Sequence, residues 1–224
     1  MLCSIEEYFG DWMRVINKEA LLEAIGKVSY FYKTRYVCPN KADIFRAFEL
    51  CPYYNLKVIF LGQEPYPQKG VSTGLAFGNN KEPLSPSLEV IKEACIDYTI
   101  AHYGLVFDNT LESWAKQGVL LLNSSLTVEL NKPNSHSAIW RNFISCFLKL
   151  LSEWNPGLIY VLFGKEAQTF KPYIGKFNEV IEYQHPAWYA RNSKQLPHQL
   201  FLDLDNRLKY QYGKSIEWFT EFKN

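Results

Sequence analysis

The sequence has no long hydrophobic run, almost no net charge and little that suggests a membrane or a nucleic-acid coat. No apolar stretch approaches the ~20 residues that a membrane-spanning helix needs, and residues 1–7 lack the charged-then-apolar pattern of a signal peptide. The 24 basic and 23 acidic side chains give a net charge of +1, which argues against non-specific coating of nucleic acid. We therefore expect a cytoplasmic protein that does not enter a membrane.

Cofactor and metal signatures are also missing. The cysteines are odd in number, scattered and never spaced as a metal knuckle, so we expect reduced, mostly buried thiols at Cys3, Cys38, Cys51, Cys95 and Cys146. The sequence has neither a glycine-rich phosphate loop nor a nucleophile elbow, which leaves little support for an unrelated hydrolase or nucleotide-binding protein. We predict that the protein uses no metal and no cofactor.

What is present is a chain suited to one α/β domain. The 224 residues are 47% hydrophobic and 16% aromatic, without repeats or linkers, which predicts a single packed domain over residues 1–224. Short apolar runs at 56–61, 118–122, 158–163 and 179–183 read as strands buried on both faces. Helical patterns at 86–94, 111–117 and 140–154 alternate with them, which predicts a parallel sheet covered on both sides. Residues 5–48 read as a helical elaboration of the same domain.

Chemically active side chains follow each of the four predicted strands. Glu64 lies in GQEPYP (62–67) after the first strand, and Asn123 ends the second. Gly164 and Lys165 follow the third strand, and His185 follows the fourth. Because the carboxyl ends of parallel strands lie on one edge of an open sheet, where ligands bind, we expect these groups to meet in one crevice.

Each of these residues also has an ordinary structural interpretation. Glu64 could be a solvated loop acid or a helix cap, and Asn123 a turn former. Phe77, flanked by Gly74 and Gly78, could be core or a stacking platform that the backbone approaches closely. The dipeptide at 164–165 could be a plain turn or a phosphate contact. His185 is the sharpest candidate, because histidine is scarce here and a neutral imidazole can donate a hydrogen bond.

Taken together, the motifs resemble those of the uracil-DNA glycosylases of the uracil-N-glycosylase family. GQEPYP at 62–67 is similar to the family's GQDPYH, GLAF at 74–77 is intact, and LSPSL at 84–88 matches the Pro/Ser loop. The stretch GVLLLN at 118–123, with LTV at 126–128 and NSH at 134–136, resembles the uracil-reading segment, and HPAWY at 185–189 replaces HPSPL. The resemblance runs from about residue 36 to residue 218. It implies a three-layer α/β/α fold around a central four-stranded parallel sheet.

The resemblance implies a pocket for a uracil base flipped out of DNA. Phe77 would stack on the ring, and the Asn123 amide would pair with O4 and N3–H. Tyr66 would press on C5 and exclude thymine, while Gln63 would contribute backbone contacts to the base. His185 would bond O2 of the leaving base, and Glu64 would stabilise the sugar cation and orient water; these two are the expected catalytic residues. Contacts to DNA would come from Ser87, Gly164, Lys165, Pro186, Ala187, Trp188, Tyr189 and Arg191.

Three departures from the family pattern affect the expected site. Glu64 replaces an aspartate and carries one more methylene, and Pro67 replaces a histidine near the acid. In the last motif Ala187 replaces a phosphate-contacting serine, and Tyr189 or Trp188 takes the place of the leucine wedge. An aromatic ring can stack where the base was, so an aromatic wedge is physically reasonable.

Two functions remain open from the sequence. The first is a monofunctional uracil-DNA glycosylase that hydrolyses the N-glycosidic bond of uracil in DNA and starts base-excision repair. The alternative is a catalytically weakened relative that binds DNA as a damage sensor or scaffold. The expected partners are single- or double-stranded DNA containing uracil and inhibitor proteins that mimic DNA, and the expected state is a monomer.

Overall fold

The computed structural model describes residues 4–99 and 105–221, and its centre is a four-stranded parallel sheet. The strands of this sheet follow the order β4-β2-β6-β7, and each pair of neighbours is parallel. All four predicted strands are present with bounds shifted by no more than two residues. Their ranges are β2 Val58–Gly62, β4 Val119–Asn123, β6 Ile159–Phe163 and β7 Glu179–Tyr183.

The four strands of this sheet are not equally buried. β2, β4 and β6 are buried at every residue, as expected of apolar strands covered on both faces. The same expectation is wrong for β7, which is only partly buried at its edge of the sheet, whereas β4, at the opposite edge, is covered by the helices Arg46–Leu50 and Glu112–Lys116. Two acidic side chains of β7 form ion pairs with basic residues: Glu179 pairs with Arg207 at 2.7 Å, and Glu182 pairs with Lys171 at 2.5 Å.

Helices cover the sheet in two groups, which gives the predicted three-layer α/β/α arrangement. The long α2 packs against α6, whereas α4 packs against α8 and α9. The three predicted helices are present as α4, α5 and α6, and α7, α8 and α9 were not predicted. The helices are α1 Ile5–Phe9, α2 Lys18–Thr34, α3 Arg46–Leu50, α4 Pro86–Thr99, α5 Glu112–Lys116, α6 Ser137–Trp154, α7 Gly164–Gln168, α8 Pro186–Arg191 and α9 Gln199–Tyr212.

The N-terminal segment joins the same hydrophobic core, but it is not helical throughout. The short strand β1 (Val37–Cys38) interrupts the predicted helical region and pairs antiparallel with β5 (Val128–Glu129). Trp12 anchors the segment, since its indole N–H donates to the carbonyl oxygens of Phe48 and Cys51, each at 3.0 Å. A third small sheet joins β3 (Leu105–Val106) to β8 (Thr220–Glu221).

The remaining general expectations concern thiols, membranes and metals. Cys38, Cys51 and Cys95 are buried and Cys146 is partly exposed, whereas Cys3 lies outside the described residues. Within the described ranges, no helix has the length and apolar character needed to cross a membrane. Over the same residues, no group of three or more His, Cys, Asp and Glu side chains is placed to hold a metal ion.

Candidate active site

The carboxyl ends of the parallel strands open into a cleft of about 370 Å³. The turn after β2 forms one wall, and the start of α8, which follows β7, forms another. The cleft brings together eight of the residues predicted from the sequence: Gln63, Glu64, Tyr66, Phe77, Ser87, His185, Ala187 and Arg191. Leu75, Pro65, Pro67, Gln68 and Pro133 complete the lining.

The acid that lines the cleft, Glu64, is held by hydrogen bonds. Glu64 Oε2 accepts the backbone N–H of Asn134 at 2.8 Å, and the Gln63 side-chain amide lies 3.4 Å from Glu64 Oε1. Burial raises the pKa of Glu64 above its ordinary value, while these two hydrogen bonds favour the carboxylate and oppose the rise. The negative charge of Glu166 adds to the rise in the pKa. Glu64 is therefore a partly desolvated acid, not a freely solvated loop residue.

Phe77 and Asn123 meet above Gly62, the last residue of β2. A Cβ added at Gly62 would lie 2.6 Å from Asn123 Oδ1 and 3.0 Å from Phe77 Cζ, so both side chains occupy the space that glycine leaves. In the parallel register Gly62 lies opposite Asn123 itself. Asn123 is almost fully buried and lies behind the residues that line the cleft. The ring and the amide are thus neighbours, although 46 residues separate them in sequence.

Phe77 is held in an unusual backbone conformation. Its φ is +68°, in the left-handed region that non-glycine residues rarely occupy, and its side chain is buried. The N–H of the preceding Ala76 donates to the Leu121 carbonyl at 3.0 Å, which ties the segment to β4. The ring packs edge-on against Phe163 with centroids 5.2 Å apart. Such strain persists only where surrounding contacts enforce it, and it is concentrated at functional sites.

His185 caps helix α8 and faces the ring of Phe77. Its Nδ1 accepts the Ala187 N–H at 3.2 Å, so in the neutral imidazole the proton is on Nε2, which remains available as a donor. Burial, aided by the positive charge of Arg191, lowers the pKa of His185 to about 4. The centroids of the His185 and Phe77 rings are 5.8 Å apart. The imidazole is therefore neutral at physiological pH and can donate into the cleft.

Tyr66, from the turn after β2, is partly buried, and Ser87, at the start of α4, is buried. The Tyr66 hydroxyl donates to the Phe77 carbonyl oxygen at 3.0 Å, which fixes the phenol beside the aromatic platform. Burial raises the pKa of Tyr66, so the phenol is neutral. Ser87 lies in the first turn of α4 and is 4% exposed, yet it still contributes to the lining of the cleft.

Gly164, Lys165 and Pro186 were predicted to contact DNA, and none of them lines the cleft. Gly164 is buried with φ +87°, and a Cβ there would lie 2.8 Å from the Cβ of His185, so this glycine allows the histidine to approach β6. Lys165 is exposed beside it. Pro186 is buried at the first position of α8, a place that suits proline.

The two aromatic residues of the last motif form a pair on α8. The rings of Trp188 and Tyr189 are perpendicular, with centroids 5.2 Å apart. Tyr189 packs partly against the hydrophobic core, and the ammonium of Lys194 lies 5.1 Å from the centre of a Trp188 ring. Because Ala187 and Arg191 of the same helix line the cleft, this pair lies at the rim of the site.

Sequence reasoning did not identify Asn134 as part of the site. The residue is in the NSH stretch, yet only the structure reveals that its backbone and side chain both contact the acid turn. The available signal was weak: an asparagine tolerates left-handed backbone better than most residues, and Asn134 has φ +65°. A contact between residues 70 positions apart leaves no local pattern.

The fold and the cleft define a class: an α/β/α protein with a strained aromatic platform, a buried amide, a neutral histidine and a carboxylate at the carboxyl edge of a parallel sheet. A model of the Uracil DNA glycosylase superfamily matches residues 48–209. The chain is 35% identical to a uracil-DNA glycosylase of Fusobacterium nucleatum, over 95% of this chain and 96% of the relative. It is 33% identical to that of Mesomycoplasma hyopneumoniae, over 96% and 97%. The chain therefore belongs to the uracil-DNA glycosylase superfamily.

Solved structures agree on the fold. The mimivirus uracil-DNA glycosylase superimposes with a TM-score of 0.74 at 22% identity, covering 96% of this chain and 93% of that one. A Y322F variant of the mimivirus UNG, solved in complex with UGI, gives a TM-score of 0.73 at 22% identity, covering 97% and 96% of the two chains. At this level of identity the likeness supports the α/β/α fold.

Proposed function

We infer that this protein is a uracil-DNA glycosylase: it hydrolyses the bond between uracil and deoxyribose in DNA and leaves an abasic site. Its membership of the superfamily and the names of its relatives support this function. The observation that carries it is that Phe77, His185 and Glu64 line one cleft and Asn123 lies directly behind Phe77. Phe77 contacts His185 through their rings and shares the space above Gly62 with Asn123, while Glu64 lines the same cleft.

The platform and the amide would select the base. A uracil stacked on Phe77 would present its O4 and N3–H edge to Asn123, whose carboxamide offers one donor and one acceptor. Cytosine reverses the donor and acceptor at these two positions. Tyr66, fixed by its hydrogen bond to the Phe77 carbonyl, would lie against C5 and reject the methyl group of thymine. Backbone groups of Gln63 would complete the pocket.

His185 would stabilise the departing uracil, and Glu64 would stabilise the sugar and activate the water. As the C1′–N1 bond breaks, its electron pair moves into the uracil ring, and the Nε2–H of neutral His185 stabilises the charge at O2. The sugar acquires the character of a cation, which the Glu64 carboxylate stabilises. Water then bonds to C1′ as Glu64 orients it and accepts its proton. The depressed pKa of His185 supports this division, because a neutral imidazole can donate from Nε2 while Nδ1 stays engaged with the helix.

We propose that the rim holds the DNA through a few local contacts. Ser87, the backbone of Gly164, Lys165 and Arg191 would bind phosphates, and Pro186 and Ala187 would contribute backbone contacts from the start of α8. The Trp188–Tyr189 pair would fill the stack that the flipped nucleotide vacates. Local contacts of this kind require no broad basic surface, which agrees with a net charge of +1.

The proposed partners follow from the same site. Both single- and double-stranded DNA containing uracil are proposed substrates. Because a mimivirus relative is solved with UGI, we propose that the DNA-binding face here also accepts inhibitor proteins that imitate DNA. We further propose that the protein acts as a monomer in the cytoplasm.

The test is release of free uracil from an oligonucleotide with a single deoxyuridine, measured on single and double strands. We expect release by the wild-type protein and a loss of at least a hundredfold in Glu64→Gln. A folded wild-type protein that releases no uracil from either substrate contradicts the proposal. A protein whose slow release rises strongly in Glu64→Asp and is unchanged in Glu64→Gln would instead be a weakened DNA-binding relative.

A further inference from the structure

The loop after β5 folds back onto the turn that carries Glu64. The Asn131 N–H donates to the Pro67 carbonyl at 2.8 Å, which places the loop against the end of the GQEPYP segment. Within the loop the Glu129 N–H donates to the Ser135 hydroxyl at 2.8 Å, so the loop is closed on itself. The acid turn thus packs against a preformed structure and not against open solvent.

Asn134 makes two separate contacts with the acid turn from one left-handed residue. Its backbone N–H donates to Glu64 Oε2 at 2.8 Å, and its side-chain Oδ1 accepts from the Gln63 side-chain amide at 2.8 Å. That same amide lies 3.4 Å from Glu64 Oε1. A third bond, from the Ser137 hydroxyl to the Asn134 carbonyl at 2.9 Å, ties the residue to the start of α6. Glu64 is therefore contacted on both carboxylate oxygens, once directly and once through Gln63.

Glutamate has a particular need for such support. Relative to aspartate it adds one rotatable bond between the backbone and the carboxylate, so a fixed strand end leaves the charge free to move by more than one ångström. A displacement of about 1 Å in a catalytic group can cost on the order of a hundredfold in rate. The hydrogen bond from the Asn134 N–H, together with the Gln63 amide that Asn134 Oδ1 holds, restricts that freedom. Pro67 supplies no polar side chain near the acid, so the loop is the source of polar contacts on that side.

We propose that Asn134 is a positioning residue that holds Glu64 and Gln63 in their working orientation for uracil release. The proposal rests on the proposed glycosylase function. Asn134 acts through Glu64 and Gln63: its N–H is used by the carboxylate and its Oδ1 by the amide, so neither group is free for a substrate. Oε1 remains the oxygen that can face the sugar and the water.

The chain offers a matched control on the same loop. Asn131 is also exposed and also left-handed, with φ +57° against +65° for Asn134. Replacing either residue by glycine keeps the left-handed backbone and the N–H, and removes only the side chain. We expect Asn134→Gly to lower kcat by about tenfold with KM within about twofold, because the amide that steadies Oε1 loses its anchor. Asn131→Gly should match the wild type.

A charge-changing variant distinguishes positioning from a merely structural role. Asn134→Asp keeps an acceptor for Gln63 and adds a negative charge beside Glu64, so the acid limb of kcat/KM should move to higher pH. The charged groups around Glu64 are Glu166, which pairs with Arg141 at 3.5 Å, and Arg191 in the cleft. The neutral, titratable His185 also lines the cleft, and the variant changes none of these groups. Carbon-13 NMR of the Glu64 side-chain carboxyl, assigned by its loss in Glu64→Gln, should record the same rise in the pKa without substrate.

The outcomes separate this proposal from the proposed function. If wild-type protein releases no uracil, the glycosylase function is wrong, and the NMR titration alone decides whether Asn134 controls the carboxylate. The positioning role is overturned by the following result with an active wild type. Asn134→Gly and Asn131→Gly have equal kcat, and Asn134→Asp changes neither the acid limb nor the titration of Glu64. A kcat loss confined to the Asn134 variants, with the titration shifted, supports it.

Discussion

Gly62 provides a sharp test of the site, because its missing side chain leaves room for two residues that we propose hold the base. A Cβ built there lies 2.6 Å from Asn123 Oδ1 and 3.0 Å from Phe77 Cζ. Ordinary contacts between carbon and a carbonyl oxygen are about 3.3 Å or longer, so Gly62→Ala displaces the amide by roughly 0.7 Å. The platform must also give way, although Phe77 is held by a strained backbone.

The displacement has separate expected effects on catalysis and on stability. A shift approaching 1 Å in a group that positions the substrate should lower kcat/KM by about tenfold to a hundredfold, or about 1.4–2.7 kcal/mol of transition-state stabilisation. Overpacking of this kind destabilises a fold by about 1–3 kcal/mol. Steady-state uracil release and thermal unfolding of Gly62→Ala, measured on the same preparation, give both quantities.

Gly26 is the matched control for this substitution. It lies inside helix α2, and a Cβ added there meets nothing within 4 Å. Gly26→Ala should keep wild-type kcat/KM and stabilise the protein by about 1 kcal/mol, because alanine is the better helix former. If Gly62→Ala retains wild-type kcat/KM while folding normally, the assignment of Asn123 and Phe77 to the base is refuted.

Four further outcomes follow from the same cleft. The acid limb of kcat/KM should be set by Glu64, whose pKa is raised, and not by His185, whose pKa is lowered to about 4. Activity should therefore fall as the pH drops toward the raised pKa of Glu64. A His185→Gln variant that loses this limb would contradict the assignment. Asn123→Asp should admit cytosine and Tyr66→Ala thymine, and unchanged base preference in competition assays would show that the pocket is misassigned. Gly164→Ala should lower kcat by about tenfold or more, because its Cβ would press on His185 at a left-handed φ, and wild-type kcat would argue against this packing. Glu64→Gln should raise the melting temperature at neutral pH, because a raised pKa in the folded state means that the ionised acid destabilises the fold at higher pH. An unchanged or lower melting temperature would contradict that reasoning.

The sheet and the convergence of its strand ends were predictable from local sequence. Apolar runs of five or six residues mark β2, β4 and β6 because they are covered on both faces, and the polar residues that follow them meet at one edge for topological reasons. The partial exposure of β7 was not predictable, because it depends on which helices cover each edge of the sheet: β4 lies at the other edge and is fully buried. Helix α8 was missed although Pro186 stands at its first position, since the cap that begins it is the unusual ring nitrogen of His185.

The finer parts of the site depend on contacts between distant segments. Phe77 is left-handed because the chain around it is tied to β4, and its flanking glycines indicated only that the backbone approaches something closely. Asn134 reaches Glu64 across 70 residues, and a single asparagine in a loop gives no sign of its partner. Sequence patterns reflect the burial or turn geometry of a residue within its own element. The conformation and contacts of Phe77 and Asn134 depend instead on other elements.

Burial acts in opposite directions on the two catalytic candidates, and this explains why they differ in their partners. Desolvation favours the neutral form of each group, raising the pKa of Glu64 and lowering that of His185. The proposed reaction needs neutral histidine, so burial alone prepares His185, which requires only the Ala187 N–H to fix its tautomer. The same reaction needs ionised Glu64, which burial opposes. The acid must therefore receive donors, and the loop at Asn134 supplies one directly and orients Gln63, which lies beside the other oxygen.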